Sequence, residues 1–296
     1  AASDVYKRQF QYNPDFLENN IYKKIFPYVI RRTPNVQVFS EFEGETFRGL
    51  PPMIADSLPD FFGNIVFKEW LEATQKDISS ITPLEQLTYV GKRGMGAIEF
   101  SPAKEIRSNQ TINVDEITEV VKKVLDLKTS TEEKGLSDIA LLNIFKIGTS
   151  AGGARPKILV SENKSTGHLI PGDLETSEEY NHYLIKLSID EDQGYSKEKI
   201  EYIYYQIATS IGIEMMPSKL IEDKHFATLR FDRQNGQKQH ILTASGMTGW
   251  DFKKPENSSY ENLFKLAFDL KLSHKNIQQL FKRCLLYTSD AADDSL

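Results

Sequence analysis

The chain has 296 residues, 36 basic and 42 acidic side chains and 40 % hydrophobic residues, enough length for one large or two ordinary domains and enough apolar content to fill them. Its net charge of −6 at pH 7 argues against a general nucleic-acid or acidic-membrane binder, and no run of about eighteen apolar residues is present to cross a membrane. The single cysteine, Cys284, leaves no internal disulfide framework and no thiolate metal site, which fits a reducing, cytoplasmic setting.

The two ends read as foreign sequence. Reverse-complementing codons for Asp4-Val-Tyr-Lys-Arg-Gln9 and shifting by one base gives Cys-Leu-Leu-Tyr-Thr-Ser, the sequence that begins at Cys284. One oligonucleotide read on opposite strands therefore accounts for both ends, as a sequencing-transposon adapter would. Residues 1–9 and 284–296 are set aside as an adapter-derived scar, and residues 10–283 are expected to be native sequence cut at both ends.

In chain order, residues 10 to 50 mix aromatic and β-branched side chains, and the alternation over Val36 to Phe42 predicts short strands. A Gly/Pro-rich turn, Gly49 to Asp60, leads into a helix that Asp60 can cap, with Phe62, Ile65, Val66, Trp70 and Leu71 as its apolar stripe. Pro83 to Tyr89 predicts another helix, and Gly91 to Phe100 a turn and a strand. The polar tract Ser101 to Gln110 marks a boundary. Asp115 to Leu127 is amphipathic, with Ile117, Val120, Val121, Val124 and Leu125 on one side, and Ser137 to Phe145 predicts one more helix.

Next comes Gly148-Thr-Ser-Ala-Gly-Gly-Ala-Arg-Pro-Lys157, followed by a strand over Lys157 to Ser161 and a second over Tyr183 to Ile189 that carries Lys186. A helix over Glu198 to Ile211 ends at Gly212. Strands are predicted at Ser218 to Glu222, His225 to Phe231 and Gln239 to Thr243, then helices at Ser259 to Leu272 and Lys275 to Arg283.

A glycine segment of this kind can bare backbone N–H groups to phosphate. A Walker loop or a dinucleotide fingerprint must run into a helix, whereas this segment runs into a strand. A kinase-type loop does connect to a strand, and a kinase places a phosphate-binding lysine on a nearby strand with a glutamate on the following helix. Lys186 projects opposite Tyr183, Ile185 and Leu187. Glu201 lies beside the helix stripe Ile200, Ile203, Tyr204, Ile207 and Ile211, and Glu198, one turn earlier, is expected on an exposed face. Asp60-Phe-Phe-Gly63 and Trp250-Asp-Phe252 are read as structural, since neither has the order or setting of a metal-binding Asp-Phe-Gly. The five histidines show no metal spacing.

The ordered set of Gly49 to Asp60 with Gly63, Gly91 to Ala97, Ser150 to Lys157, Tyr183 to Leu187, Glu201 to Gly212 and Arg230-Phe-Asp-Arg233 resembles the HipA family of bacterial Ser/Thr kinase toxins. The resemblance implies an α+β, protein-kinase-like fold. It divides the chain into an N-terminal β-rich subdomain at 10–105, a kinase N-lobe with the phosphate loop at 106–245, and the start of an all-α C-lobe at 246–283. It implies binding of ATP and Mg2+ by Gly152, Gly153, Ala154, Arg155, Pro156 and Lys157 as phosphate loop, with Lys186, Glu201 and, at the adenine hinge, Arg230 and Phe231. Ser150 matches a position that can be autophosphorylated. The implied activity is phosphorylation of a protein target such as an aminoacyl-tRNA synthetase. The implied partner is a helix-turn-helix (HipB-like) antitoxin, through which alone DNA would be met. The family's catalytic and metal-binding aspartates fall after the helix containing Leu280 and Phe281, so the chain as written is expected to be inactive. The alternative reading is a catalytically inactive nucleotide- or antitoxin-binding module.

Overall fold

The computed structural model describes residues 9–19, 26, 28–59, 61–73, 81–103, 112–126, 155–172, 177–189 and 195–291. It is a mixed α+β structure whose chain divides into two compact units interleaved in sequence, one of residues 1–7, 54–202 and 216–242, the other of 8–53, 203–215 and 243–296.

In order along the chain, the elements begin with β1 (Gln9–Phe10), α1 (Pro14–Asn19), β2 (Gln37–Val38), α2 (Pro52–Ala55), α3 (Phe61–Ala73), α4 (Pro83–Val90) and α5 (Val114–Asp126). They continue with β3 (Lys157–Asn163), β4 (Leu169–Pro171), β5 (Tyr180–Lys186), α6 (Lys197–Ser210), β6 (Ser218–Ile221), β7 (His225–Leu229), β8 (Arg233–Gln234), β9 (Gln237–Lys238), α7 (Ala244–Thr248), α8 (Tyr260–Asp269) and α9 (His274–Ala291).

The first unit is built on a five-stranded sheet in the order β4-β3-β5-β7-β6, antiparallel throughout. Strand β3 pairs residue for residue with β5, Lys157 opposite Lys186 and Asn163 opposite Tyr180. Antiparallel sheets bury one face against helices and leave the other free to vary. Here Ile158, Val160, Tyr183, Ile185 and Ala227 of the sheet pack with Val66, Phe67 and Leu71 of α3, Tyr89 of α4, and Ile117 and Val121 of α5. Each such side chain contributes about 1.5–3 kcal/mol when fully buried. Val66, Leu71, Ile117 and Val121 thus sit where their helical spacing puts them, with Phe67 added and Val120 packed partly buried against the same core. Asp60 and the helix expected at Ser137 to Phe145 lie outside the described residues. Helix α4 starts at a capping box, Thr82 accepting from the Glu85 N–H while Glu85 accepts from the Thr82 N–H, a reciprocal cap worth about 1 kcal/mol.

Two expected strands are not found. Gly91 to Phe100 is turn and bend, because the Asp232, Arg233 and Lys238 side chains rather than a partner strand bond much of its backbone. Gln239 to Thr243 is likewise not a strand; the pairing falls earlier, Arg233 with Lys238 and Gln234 with Gln237. The two linking residues, Asn235 and Gly236, both have positive φ, 50° and 68°, the left-handed geometry of a tight hairpin that Asn-Gly favours. Over residues 10 to 50 the only described pairing is β1 with β2. Apolar side chains there are buried instead through aromatic contacts, Phe42 with Phe47 at 5.1 Å and Phe10 with Tyr12 at 4.9 Å between ring centroids.

Those aromatic contacts belong to the second unit. Gly249 lies within it at φ 79°, where a Cβ would meet the Phe42 ring at 2.9 Å, and Asp251 accepts from the Thr46 hydroxyl at 2.5 Å and from the Lys253 N–H. Asp251 is therefore a turn residue, as its setting suggests. Helices α8 and α9 meet through Phe264 and Phe281, and Gln279 of α9 bonds both the Glu214 N–H and the Gly212 carbonyl. Helix α9 runs unbroken past Arg283, with Cys284 buried.

Candidate functional site

Strand β5 ends at Lys186, and helix α6 begins eleven residues later. The return of α6 brings Glu201 to Lys186, Nζ to Oε1 2.5 Å, with both side chains about 30 % exposed. The lysine also lies over the Phe226 ring at 5.8 Å, its cross-strand neighbour on β7. An ammonium has three donors, so the Glu201 bond leaves capacity for a further anion. The second oxygen of Glu201 is buried and has no hydrogen-bond partner. A polar atom in that state is costly unless something else satisfies it.

Helix α6 corrects two expectations. Ile200, Ile203, Ile207 and Ile211, read as its apolar stripe, are exposed, whereas Ala208 and Glu198 are buried. Residues 198, 201, 205 and 208 share one side of a helix. The inward side is thus rotated by about 135° from the one the isoleucines mark. Glu198, expected in solvent, is instead 6 % exposed and faces the Arg155 guanidinium, Nη1 to Oε1 3.6 Å. Pairing of the two carboxylates decides the helix's rotation, and apolar periodicity alone does not register it.

Of the glycine segment, Ser150, Gly152, Gly153 and Ala154 lie outside the described residues. Its end is described: Arg155 is a bend residue, and the Pro156 carbonyl accepts from the Leu187 N–H at 3.1 Å. Lys157, opposite Lys186 in the ladder, is 5 % exposed. The loop exit and Lys186 are therefore neighbours, as their order in the sequence suggests.

In the Arg230-Phe-Asp-Arg233 segment three of the four side chains turn inward. The Arg230 N–H donates to the His182 carbonyl and extends the sheet, but its side chain is 1 % exposed and committed to Asp232, Nε to Oδ1 2.9 Å and Nη2 to Oδ2 2.7 Å. Arg233 Nη1 reaches the same Oδ2 at 2.7 Å and also donates to the Gly96 carbonyl, while Nη2 donates to that of Gly94. The Gly96 N–H donates to Asp232 Oδ2 at 2.7 Å. Burial pushes the Asp232 carboxyl up, but the bonds and charges of Arg230, the Gly96 N–H and Arg233 outweigh it and hold it below its ordinary value. Burial, with the neighbouring Arg230 charge, lowers the Arg233 guanidinium to about 10. Phe231 points the other way and is half exposed. Asp232 and Arg233 are thus the centre of a buried ionic staple that holds Gly94 to Gly96. The repetition of Arg around Asp is its sequence signal.

Among the described residues one cluster has the composition of a metal site: Asp115, Glu222 and His225, with candidate ligand atoms within 4.8 Å of one another. The protonation of His225 speaks against that use. Its Nδ1 accepts from the Ser188 N–H at 3.0 Å, so in the neutral ring Nε2 carries the proton, and it is Nε2 that faces Asp115 and Glu222, each at 3.7 Å. A metal-bound histidine does the reverse, donating from its distal nitrogen. Lys224 also pairs with Asp115. The cluster joins the start of α5 to the β6–β7 turn by shared protons and charge.

No curated protein matches the chain. The family model of the HipA N-terminal domain matches residues 2–101, and that of the HipA-like C-terminal domain matches residues 149–295. Among the described residues no helix is long and apolar enough to cross a membrane. With the two family matches covering both halves of the architecture, the chain belongs to the HipA family, as its ordered motifs imply.

Proposed function

We propose that the chain carries the nucleotide site of a toxin–antitoxin Ser/Thr protein kinase and binds Mg2+-ATP between the glycine segment 148–157 and Lys186. The observation that carries this reading is the Lys186–Glu201 pair at 2.5 Å beside the exit of the glycine segment, the arrangement by which kinases orient the phosphate-binding lysine. The donor capacity left on Lys186, its partial exposure and the unpartnered oxygen of Glu201 fit a triphosphate with its bound cation. ATP, when bound, would supply the transferable phosphoryl group. Lys186 would neutralise phosphate charge, Glu201 would hold the lysine, and backbone N–H groups of Gly152 to Ala154 would cradle the phosphates. Arg230 is spent on Asp232, so the adenine would be read by backbone and by the exposed Phe231 ring.

Transfer itself requires a catalytic and a metal-binding aspartate, which the resemblance assigns to the part of the fold after Phe281, so nucleotide binding is the property by which the present site is judged. Phosphorylation of a protein target, modification of Ser150, a cytoplasmic location and pairing with a helix-turn-helix antitoxin complete the proposal. Calorimetry with Mg2+-ATP tests it: Lys186→Ala should weaken binding about tenfold or more, the loss expected for a charged hydrogen bond of ~1.5–3 kcal/mol. Equal affinities for wild type and variant would overturn the site.

A further inference from the structure

Glu198 and Glu201 are three residues apart at the start of α6 and so project from one side of it. Glu201 takes Lys186. Glu198 takes Arg155, with the carboxylate side chain 9 % exposed and the guanidinium 44 % exposed; the Ser196 hydroxyl also lies 3.4 Å from that carboxylate. A carboxylate so far out of water needs its cation. Arg155 is in turn fixed by the backbone that follows it, since the Pro156 carbonyl accepts from the Leu187 N–H and Lys157 lies opposite Lys186.

We infer that Glu198 is a positioning residue for the nucleotide site: through Arg155 it sets where the glycine segment enters β3, so that one helix end fixes both the loop exit and the lysine. The inference rests on the nucleotide reading above and adds to it the device that keeps the loop and Lys186 in register. Displacing the first turn of α6 would release both together.

The test uses the full chain carrying Glu198→Gln, with thermal melting to verify folding and the Arg155→Glu/Glu198→Arg exchange as a companion. Amide exchange at Leu187, measured relative to Ile185 on the same strand, reports the clamp without any ligand. Glu198→Gln should accelerate it about three- to tenfold, the effect of losing roughly 1 kcal/mol locally. Affinity for Mg2+-ATP should fall by a similar factor while affinity for adenosine, which has no phosphate to position, stays unchanged. The charge exchange should recover most of both effects. Unchanged Leu187 exchange in folded Glu198→Gln would overturn the inference, as would equal losses for ATP and adenosine. Failure of the wild-type chain to bind Mg2+-ATP would instead remove the nucleotide reading, and the positioning role with it, while Leu187 exchange still judged the clamp.

Discussion

Asp232→Asn is the sharpest perturbation of the fold, because it changes one atom and one charge at a fully buried position. In the native carboxylate, Oδ1 accepts from Arg230 Nε, and Oδ2 accepts from Arg230 Nη2, Arg233 Nη1 and the Gly96 N–H. An amide can place its oxygen at only one of these positions. With oxygen at Oδ2 its NH2 opposes Arg230 Nε; flipped, it opposes three donors. Either way two buried guanidiniums lose the counter-charge they share. Breaking a buried pair by removing one partner costs about 3–5 kcal/mol, and that is the expected loss, read as the shift in urea midpoint at constant slope. Exchange at the Gly96 amide should accelerate before the transition. A loss below about 1 kcal/mol would refute the claim that this carboxylate holds Gly94 to Gly96.

The Asp115–Glu222–His225 cluster predicts a pH dependence. Burial, then Lys224, hold the His225 imidazole below its ordinary 6.5, with Lys122 acting the same way and Asp115 opposing. A depressed value means the unfolded chain binds the proton first, so this stabilisation is complete above 6.5 and is lost as pH falls through the folded value. Glu222, raised by burial and by its bond to Asp115, acts in the opposite sense: its contribution is present in acid and lost as pH rises. The urea midpoint of wild type relative to His225→Gln should therefore fall between about pH 7 and 5; a constant difference would count against it. Gly172→Ala should destabilise by roughly 2–3 kcal/mol, because its Cβ would stand 2.9 Å from the Leu159 backbone carbon, which a strand cannot yield; an unchanged melting temperature would contradict that contact. Ile203→Ser with Ile207→Ser, at positions 51 % and 43 % exposed, should change stability by no more than about 0.5 kcal/mol each, and a loss of several kcal/mol in urea would mean that this side of α6 is packed.

Much of the first unit was legible in the sequence because its signals are local. The period of two put Lys186 opposite Ile185, and helical spacing put Val66, Leu71, Ile117 and Val121 in one core. Glu198 and the isoleucines of α6 were misread for a common reason: apolar periodicity weighs side chains one at a time, whereas the helix is turned by two carboxylates meeting cations on β5 and before β3. Gly91 to Phe100 was misread as a strand because its backbone partners, Asp232 and Arg233, come from far along the chain. The hairpin at Asn235-Gly236 differs, since Asn-Gly is itself a local turn signal and the pairing falls on its immediate flanks rather than on Gln239 to Thr243.

The ionic staple also bears on how the chain reaches its fold. Asp232 and Gly96 are 136 residues apart, so the bonds between them form only after a long loop has closed and its entropy has been lost. Contacts of that reach are expected to form late, after the local hairpins and helices have condensed. Substitutions at Asp232 or Arg233 would then leave the folding rate nearly unchanged and appear in the unfolding rate. These two residues would thus hold the finished structure while doing little to start it, and their contribution would be to its lifetime.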